Sequence, residues 1–526
     1  MKTIKSLLSG ALGIIMLSAM TACSHKNYEQ LSFPQQLPQK SIVVLYENDV
    51  HCAIEGYTKL AGLRDAISDT AFVCVVSSGD FLQGATPGAL SRGQYIVDVM
   101  SKVGYDAVGL GNHEFDFSAD RLMELAPQIK SPVVCTNLFD CSNGQQVFPS
   151  YVIRQCGQKK VAFVGVLTPE TMVAESYSFY DAEGRQLYDL GLNTIFQTVQ
   201  KAVDKARAEG ADYVVLLSHM GEQANDFPIN SHMLVAATNG IDVVLDGHSH
   251  SKVPSVTVMN NQNQPVIITQ TGTQFANIGK LLITRNGQLS TELVPTKDLN
   301  VSNARVSATT DSIMALLKVI ESRKVADCAA PLRIYDDNGT RLVRNQETNS
   351  GDFVTDAYRY VMDAEIGLSN GGGIRNERLS SELTYGDLIN MLPFENYVWK
   401  VEATGAKIIE LLQKSTSSVP KEDGDFPQVS GVKFTLHTSD HSISDVMVQR
   451  KDGQWEPIDP ARTYTVATID YCITSDGLRG VLRGSKALKR TSTLYRDVVE
   501  EYITKGLNGK IGPEYAKPQG RITIVP

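Results

Sequence analysis

After residue 40 the chain repeats one local pattern. Runs of four to eight β-branched and apolar residues end abruptly in Asp, Asn or His accompanied by Gly or Ser, and a polar or helical stretch follows. Ile42 to Tyr46 leads into Asn48-Asp49-Val50-His51, Phe72 to Val76 into Ser77-Ser78-Gly79-Asp80, and Ala107 to Leu110 into Gly111-Asn112-His113-Glu114. Tyr213 to Leu217 leads into Ser218-His219, and Ile241 to Leu245 into Asp246-Gly247-His248-Ser249-His250. Between them, Ile195 to Ala208 has helical spacing. Continuously apolar strands suit a sheet covered on both faces, and in open α/β sheets ligands gather beyond the carboxyl ends of the strands. The pattern therefore predicts five strand ends meeting at one edge.

Farther along, Ile313, Leu316, Leu317 and Ile320 recur at helical spacing, which predicts a connecting helix over 306–326 and a second domain over 327–526. There, Glu347 to Asp352 precedes an amphipathic stretch around Phe353 to Met362, and Ile366-Gly367-Leu368 leads into Asn370-Gly371-Gly372-Gly373-Ile374-Arg375. Three glycines let a backbone approach a ligand closely and Arg375 can fork onto a phosphate, although tight turns use such runs as often.

The N-terminus reads differently. Lys2 and Lys5 precede an apolar run from Leu7 to Ala19, too short to span a bilayer of ~30 Å and laid out like an export signal over 1–22. It ends in Met20-Thr21-Ala22-Cys23, which resembles the bacterial lipoprotein processing box with Met where Leu is preferred, so Cys23 is the expected lipidation site. An ordinary secretory signal with an incidental Cys is the alternative. Residues 23–40, polar with Pro34 and Pro38, read as a tether, leaving a first folded domain over 41–305. These features predict an exported, membrane-anchored bacterial lipoprotein of the periplasm or cell envelope.

Composition narrows the possibilities. At 526 residues the chain is long enough for two or three domains, and 42% apolar residues exclude disorder as the main class. Its 49 Lys+Arg against 58 Asp+Glu disfavour a nucleic-acid polymer as partner. Besides Cys23 the sequence has seven cysteines and no CxxC pair, so zinc-finger chemistry is excluded. Cys135 and Cys141 could close a small loop, but mostly buried free thiols are expected.

The chemistry concentrates at the strand ends. Asp49, His51, Asp80, Asn112, His219, His248 and His250 form an oxygen- and imidazole-rich set without thiolates, suited to divalent Zn, Mn, Co or Fe. A lone His at a strand end is more often a capping or core residue, but five of the nine histidines here fall at such places. One Asp between two metals can bridge them at ~3.5–4 Å, a pair suited to phosphoester hydrolysis.

In this order, Asp-x-His, Gly-Asp, Gly-Asn-His-Glu-Phe-Asp, Ser-His and Gly-His-x-His resemble the calcineurin-like metallophosphoesterases, and Gly111 to Asp116 is similar to their 5'-nucleotidase branch, which includes periplasmic UDP-sugar hydrolases. The resemblance implies an α/β fold: an N-terminal layered α/β metallophosphoesterase domain joined by a helix to a C-terminal α+β substrate-binding domain. It implies two divalent metals, one held by Asp49, His51, Asp80 and His250, the other by Asp80, Asn112, His219 and His248. His250 stands where some members have Gln or Asn. His113 and Asp116 resemble the catalytic dyad, whereas Glu114 takes no role from the resemblance and would suit a helix N-terminus.

The second domain resembles the substrate-binding domain of the same branch through Asn370 to Arg375, Leu392-Pro393-Phe394, Ile469-Asp470-Tyr471 and Asp476-Gly477. By that correspondence Phe394 and Tyr471 sandwich a base, Asp476 binds a ribose hydroxyl, and Asn370 with Arg375 holds base or phosphate. Phe394 fits a core position equally well, and Arg344 is a looser phosphate candidate. Thr474-Ser475-Asp476 departs from the family's Gly-Gly-Asp stretch, and Ile469 stands where Asn is common. The implied activity is removal of the 5'-phosphate of nucleotides by attack of metal-bound hydroxide. UDP-sugar hydrolysis and 2',3'-cyclic nucleotide phosphodiesterase activity are the alternatives within the enzyme class. A non-catalytic nucleoside-binding lipoprotein is the alternative outside it.

Overall fold

The computed structural model describes residues 41–526 apart from 182–183, 223–228, 378–379, 395, 476 and 492, with the backbone alone at 176 and 177. Cys23 and Asp476 lie outside the described residues. Among the described residues no helix is long and apolar enough to cross a membrane.

All five apolar runs are strands, but they divide between two sheets instead of meeting at one. The first sheet runs Leu289–Pro295, Asn277–Ile283, Ile42–Glu47, Phe72–Ser77, Ala107–Val108. The second runs Lys252–Met259, Pro265–Thr271, Val243–Leu245, Tyr213–His219, Lys159–Leu167, Tyr151–Cys156. In each the ligand-bearing strands pair in parallel; antiparallel strands close both edges of the second sheet and one edge of the first, whose other edge is the parallel strand Ala107–Val108. The continuous apolarity has a different cause from the one expected. Inner faces pack sheet on sheet, with Val44, Tyr46 and Val76 against Phe163, Val215 and Leu217. The Tyr46 hydroxyl meets Thr269 Oγ1 at 2.7 Å in this layer, which satisfies two buried polar groups. The outer face of the second sheet is covered by helix Ile195–Ala208 through Val199, Ala202 and Val203.

Helix Ala304–Glu321, capped by Asn303 accepting from Val306 N, packs on helices Gly56–Ile67 and Gln94–Val103 and is followed by strand Lys324–Cys328. Beyond it lies a five-stranded sheet ordered Pro427–Ser430, Ile366–Asn370, Thr463–Ile469, Val398–Thr404, Ala487–Lys489. Helix Asn349–Val361 buries Phe353, Val354, Ala357 and Tyr358 in the same core as Ile366, Leu368 and Val466. It starts four residues before the amphipathic stretch read from the sequence, because Thr348 Oγ1 accepts from Gly351 N at 3.1 Å and caps it there. Six of the seven described cysteines are buried, and Cys135 and Cys141 are not bonded to each other.

Candidate metal centre and active site

The loops leaving Glu47, Ser77, Val108, His219 and Leu245 turn back on themselves, so side chains from both sheets converge. Asp49, His51, Asp80, His248 and His250 all adopt positive φ, between 44° and 80°. Left-handed backbone at non-glycine residues is costly and persists where the surrounding structure imposes it, typically at functional sites. Neighbouring glycines make the approach possible. A Cβ on Gly111 would fall 2.2 Å from Asp80 Oδ1, and one on Gly247 would fall 2.7 Å from His219 Nδ1.

Asp80 occupies the centre. Its Oδ2 lies 3.1 Å from His219 Nε2 and 3.8 Å from His51 Nε2, while Oδ1 accepts the His113 N–H at 2.9 Å. On one side, ligand atoms of Asp49, His51, Asp80 and His250 all lie within 4.8 Å of one another, and the Nε2 atoms of His51 and His250 approach to 2.9 Å. On the other, His248 Nδ1 and Asn112 Oδ1 are 3.0 Å apart. All seven proposed ligands are thus brought together.

The chemistry of this set fits divalent cations. The Nε2 of His219 is fully buried and faces the Asp80 and Asp49 carboxylates, at 3.1 and 3.8 Å, a nitrogen and two carboxylates aimed at one another with no room for water between them. Burial pushes Asp49 up to about 7 and the His51 imidazole down to about 4. At the centre the balance is reversed: burial opposes charge on both Asp80 and His219, yet the histidines around Asp80 hold its carboxyl well below the usual range, and the Asp80 and Asp49 carboxylates raise His219 to about 10, so protonated imidazole stands where a cation's charge would act. Outer nitrogens are held from behind: His51 Nδ1 lies 3.1 Å from Gln83 O, His219 Nδ1 2.8 Å from Ser78 O, and His248 Nε2 2.8 Å from Glu170 Oε2. Such contacts set the tautomer that leaves the inner nitrogen free for a metal.

Beside this centre, His113 Nδ1 lies 3.0 Å from Asp116 Oδ2, and the His51 and His113 rings are 5.3 Å apart. Desolvation opposes charge on His113, yet the Asp116 and Asp80 carboxylates hold it well above its ordinary value.

Two carboxylates that matter to this geometry were not found from sequence spacing. Glu114 does not simply sit at a helix N-terminus. Fully buried, it accepts from Asp80 N at 2.8 Å, Phe81 N at 2.8 Å, Leu82 N at 3.1 Å and Gly111 N at 2.6 Å, tying together two ligand loops. Glu170 follows strand Lys159–Leu167 in a Thr-Pro-Glu stretch with no glycine or histidine to mark it.

In the second domain, Phe394 and Tyr471 are 44% and 43% exposed, so neither is a core residue. Asp470 Oδ1 accepts from both Tyr397 N, at 3.0 Å, and Tyr471 N, at 2.9 Å, which fixes the two aromatic segments side by side. The Arg375 guanidinium lies 5.7 Å from the centroid of the Phe394 ring. Asn370 donates to Gly424 O at 3.2 Å, while its buried Oδ1 lacks a partner. The glycine run makes its close approach to the protein's own backbone: Gly371 N donates to Phe426 O and Gly372 N to Gly424 O. The two halves touch at the dyad, where the Tyr397 hydroxyl donates to Asp116 O at 2.9 Å.

Comparison with known proteins agrees with this architecture. Residues 42–252 match the family model described as calcineurin-like phosphoesterase, and residues 325–481 match that of the 5'-nucleotidase C-terminal domain. Protein UshA of Escherichia coli (strain K12) is 23% identical over 97% of this chain and 98% of its own length. The trifunctional nucleotide phosphoesterase protein YfkN of Bacillus subtilis (strain 168) is 25% identical over 92% of this chain, which spans only 35% of that protein. Among solved structures, a putative 5'-nucleotidase from Staphylococcus aureus has the same fold, with a TM-score of 0.69 at 18% identity over 92% of this chain and all of the other. Calcineurin-like phosphoesterases are hydrolases of phosphoester bonds that use two divalent metals, and in this chain Asp49, His51, Asp80 and His250 form a cluster that could hold a metal ion. It belongs to the 5'-nucleotidase family of metallophosphoesterases, with a catalytic domain of the calcineurin-like type followed by the family's C-terminal domain.

Proposed function

We propose that this chain removes the 5'-phosphate of nucleotides, and that it does so as an exported protein anchored through a lipid on Cys23. The observation that carries the hydrolytic reading is Asp80, whose carboxylate faces histidines of both half-sites and whose other oxygen fixes the backbone of His113. Asp49, His51, Asp80 and His250 would hold one divalent cation, and Asp80, Asn112, His219 and His248 the second. When bound, the pair supplies Lewis acidity toward the phosphoryl oxygens and the attacking water.

The chain's own groups do the rest. With Nδ1 engaged by Asp116, His113 presents Nε2 to the phosphoryl group, and its raised proton affinity keeps it a donor to the charge that develops there. Asp116 orients the imidazole and balances its charge. The exposed rings of Phe394 and Tyr471 offer two faces to a base, Asn370 Oδ1 offers an acceptor, Arg375 offers a cation beside Phe394, and Asp476 is assigned to the ribose. Residues 41–305 form the catalytic unit, 306–326 the connection and 327–526 the nucleotide-binding unit in this reading, with 1–22 as signal and 23–40 as tether.

The test is product formation by chain stripped with EDTA and reloaded with Zn or Mn, read as phosphate from AMP and from p-nitrophenyl phosphate, as UMP plus glucose 1-phosphate from UDP-glucose, and as nucleoside monophosphate from a 2',3'-cyclic nucleotide. We expect no turnover after stripping and a higher kcat/KM for AMP than for the others after reloading. Turnover of p-nitrophenyl phosphate with none of AMP would overturn the nucleotidase assignment. In parallel, Cys23→Ala is expected to shift the protein from the membrane to the soluble fraction, and unchanged partition would remove the anchor.

A further inference from the structure

Cys74 and Cys156 lie in different sheets, on Phe72–Ser77 and at the end of Tyr151–Cys156, yet their sulfurs are in contact at 3.5 Å inside the layer between the sheets. We propose that these two thiols are a redox site, closed by a disulfide oxidant into a covalent cross-link between the two sheets of the catalytic domain.

Three observations support this. First, the sulfurs already touch, so closure requires a shift of the two side chains toward the ~2.05 Å of an S–S bond and no rearrangement of strand order. Second, the pair is buried but reachable: Cys156 lines a cleft of about 420 Å³ with Phe72, Gly157, Lys159 and Arg285. Third, the reachable sulfur is the better nucleophile. Cys156 is the sulfur that borders the cleft, and its S–H···S contact with Cys74, in which either thiol can donate, holds the Cys156 thiol below its ordinary value. The other described cysteines are placed differently; Cys135, for example, is turned toward Asn137 Oδ1 at 3.7 Å.

The chemistry is thiol–disulfide exchange. The Cys156 thiolate attacks one sulfur of an external disulfide, breaking its S–S bond and expelling one external thiolate, which takes up the proton Cys156 gave up. Cys74 then loses its proton and attacks the Cys156 sulfur, expelling the second external group as a thiol. Two protein thiols lose two electrons in total, and one external disulfide becomes two thiols. Because 82 positions separate the two residues, the bond would restrict a long loop of the unfolded chain and raise the melting temperature.

The experiment uses the full chain incubated with glutathione disulfide, then denatured, alkylated and digested for mass spectrometry, with Tm measured on the same sample. We expect a linked peptide joining Cys74 to Cys156, protection of both from alkylation, and a Tm higher by several degrees, all reversed by dithiothreitol. In Cys74→Ser, the mixed disulfide with glutathione should accumulate on Cys156. Should Cys74→Ser fold poorly, Cys74→Ala provides the same reading, and the wild-type peptide map stands without either. Exposed Cys141 is the internal control for reaction with the oxidant. Full alkylation of Cys74 and Cys156 after Cys141 has been glutathionylated would overturn the proposal. This outcome is independent of hydrolysis, so the nucleotidase reading stands or falls separately.

Discussion

Glu114 and Glu170 show how single carboxylates shape the centre without being ligands. Removing Glu114 would leave four backbone donors in two ligand loops without their acceptor. At ~1 kcal/mol or more for each buried unsatisfied group, Glu114→Ala is expected to cost about 2–4 kcal/mol in denaturant unfolding and to lower metal content together with stability. An unfolding midpoint equal to wild type would show that water replaces the carboxylate. Glu170 acts on one imidazole, so its effect should be narrower. We expect Glu170→Ala to weaken metal binding at the half-site of Asn112 and His248 by about 10–100-fold in titration calorimetry, with Glu170→Gln recovering part of the loss. Equal affinity in Glu170→Ala would leave the His248 contact without consequence. The contrast with the ligands explains what could be read in advance. Asp49, His51, Asp80, Asn112, His219, His248 and His250 stand at the abrupt ends of apolar runs, beside glycines that their packing requires. Glu170 comes to His248 through loop geometry, which leaves no spacing to read.

At the level of elements, the strands were legible and their partition was not. An apolar run reports that both faces of a strand are covered, and a second sheet covers a face as well as a helix does, so five equivalent runs did not reveal two sheets. Helix Asn349–Val361 teaches the same lesson at its start, where a threonine cap and not the amphipathic stripe sets the boundary. Its first turn also contains a pH-sensitive group. Asp352 is buried, its Oδ2 accepts from Gln519 N at 3.0 Å, and Arg521 Nη2 is engaged at 2.8 Å by Asp356, leaving only an Nε contact of 3.4 Å. Burial pushes Asp352 from 3.8 up to about 8. Between these values the folded chain keeps a proton that the unfolded chain has lost, so raising the pH favours unfolding across that window. The stabilisation is complete below about pH 4 and is lost as pH rises through about 8. Asp352→Asn carries no titrating group, so the difference between its urea midpoint and that of wild type should grow in the variant's favour from pH 4 to 8. Parallel midpoints would mean that Arg521 keeps Asp352 ionised throughout.

For the whole molecule, the decisive question is how the second domain serves a centre built entirely by the first. The contact between the Tyr397 hydroxyl and Asp116 O brings the two aromatic segments, held together by Asp470, to the edge of the His113–Asp116 dyad. A base held by Phe394 and Tyr471 would therefore be anchored on the same unit that touches the dyad, and its binding energy could position the phosphate. The aromatic double variant Phe394→Ala with Tyr471→Ala separates this role from the chemistry. Stacking is worth ~1–3 kcal/mol per base, so kcat/KM for AMP should fall by about 10–100-fold. p-Nitrophenyl phosphate has no nucleobase, and its turnover should stay within about threefold of wild type because the removed rings make no contact with the ligand set. His113→Ala supplies the opposite signature, reducing both substrates alike through loss of a contact to the phosphoryl group that every phosphoester shares. The quantity to measure is the ratio of kcat/KM for AMP to that for p-nitrophenyl phosphate. A fall in that ratio for the aromatic variant, with no change for His113→Ala, assigns base recognition to the second domain. A constant ratio in the aromatic variant would mean that the exposed rings do not read the base, and the chain would then be a metallophosphoesterase whose nucleotide preference is set elsewhere.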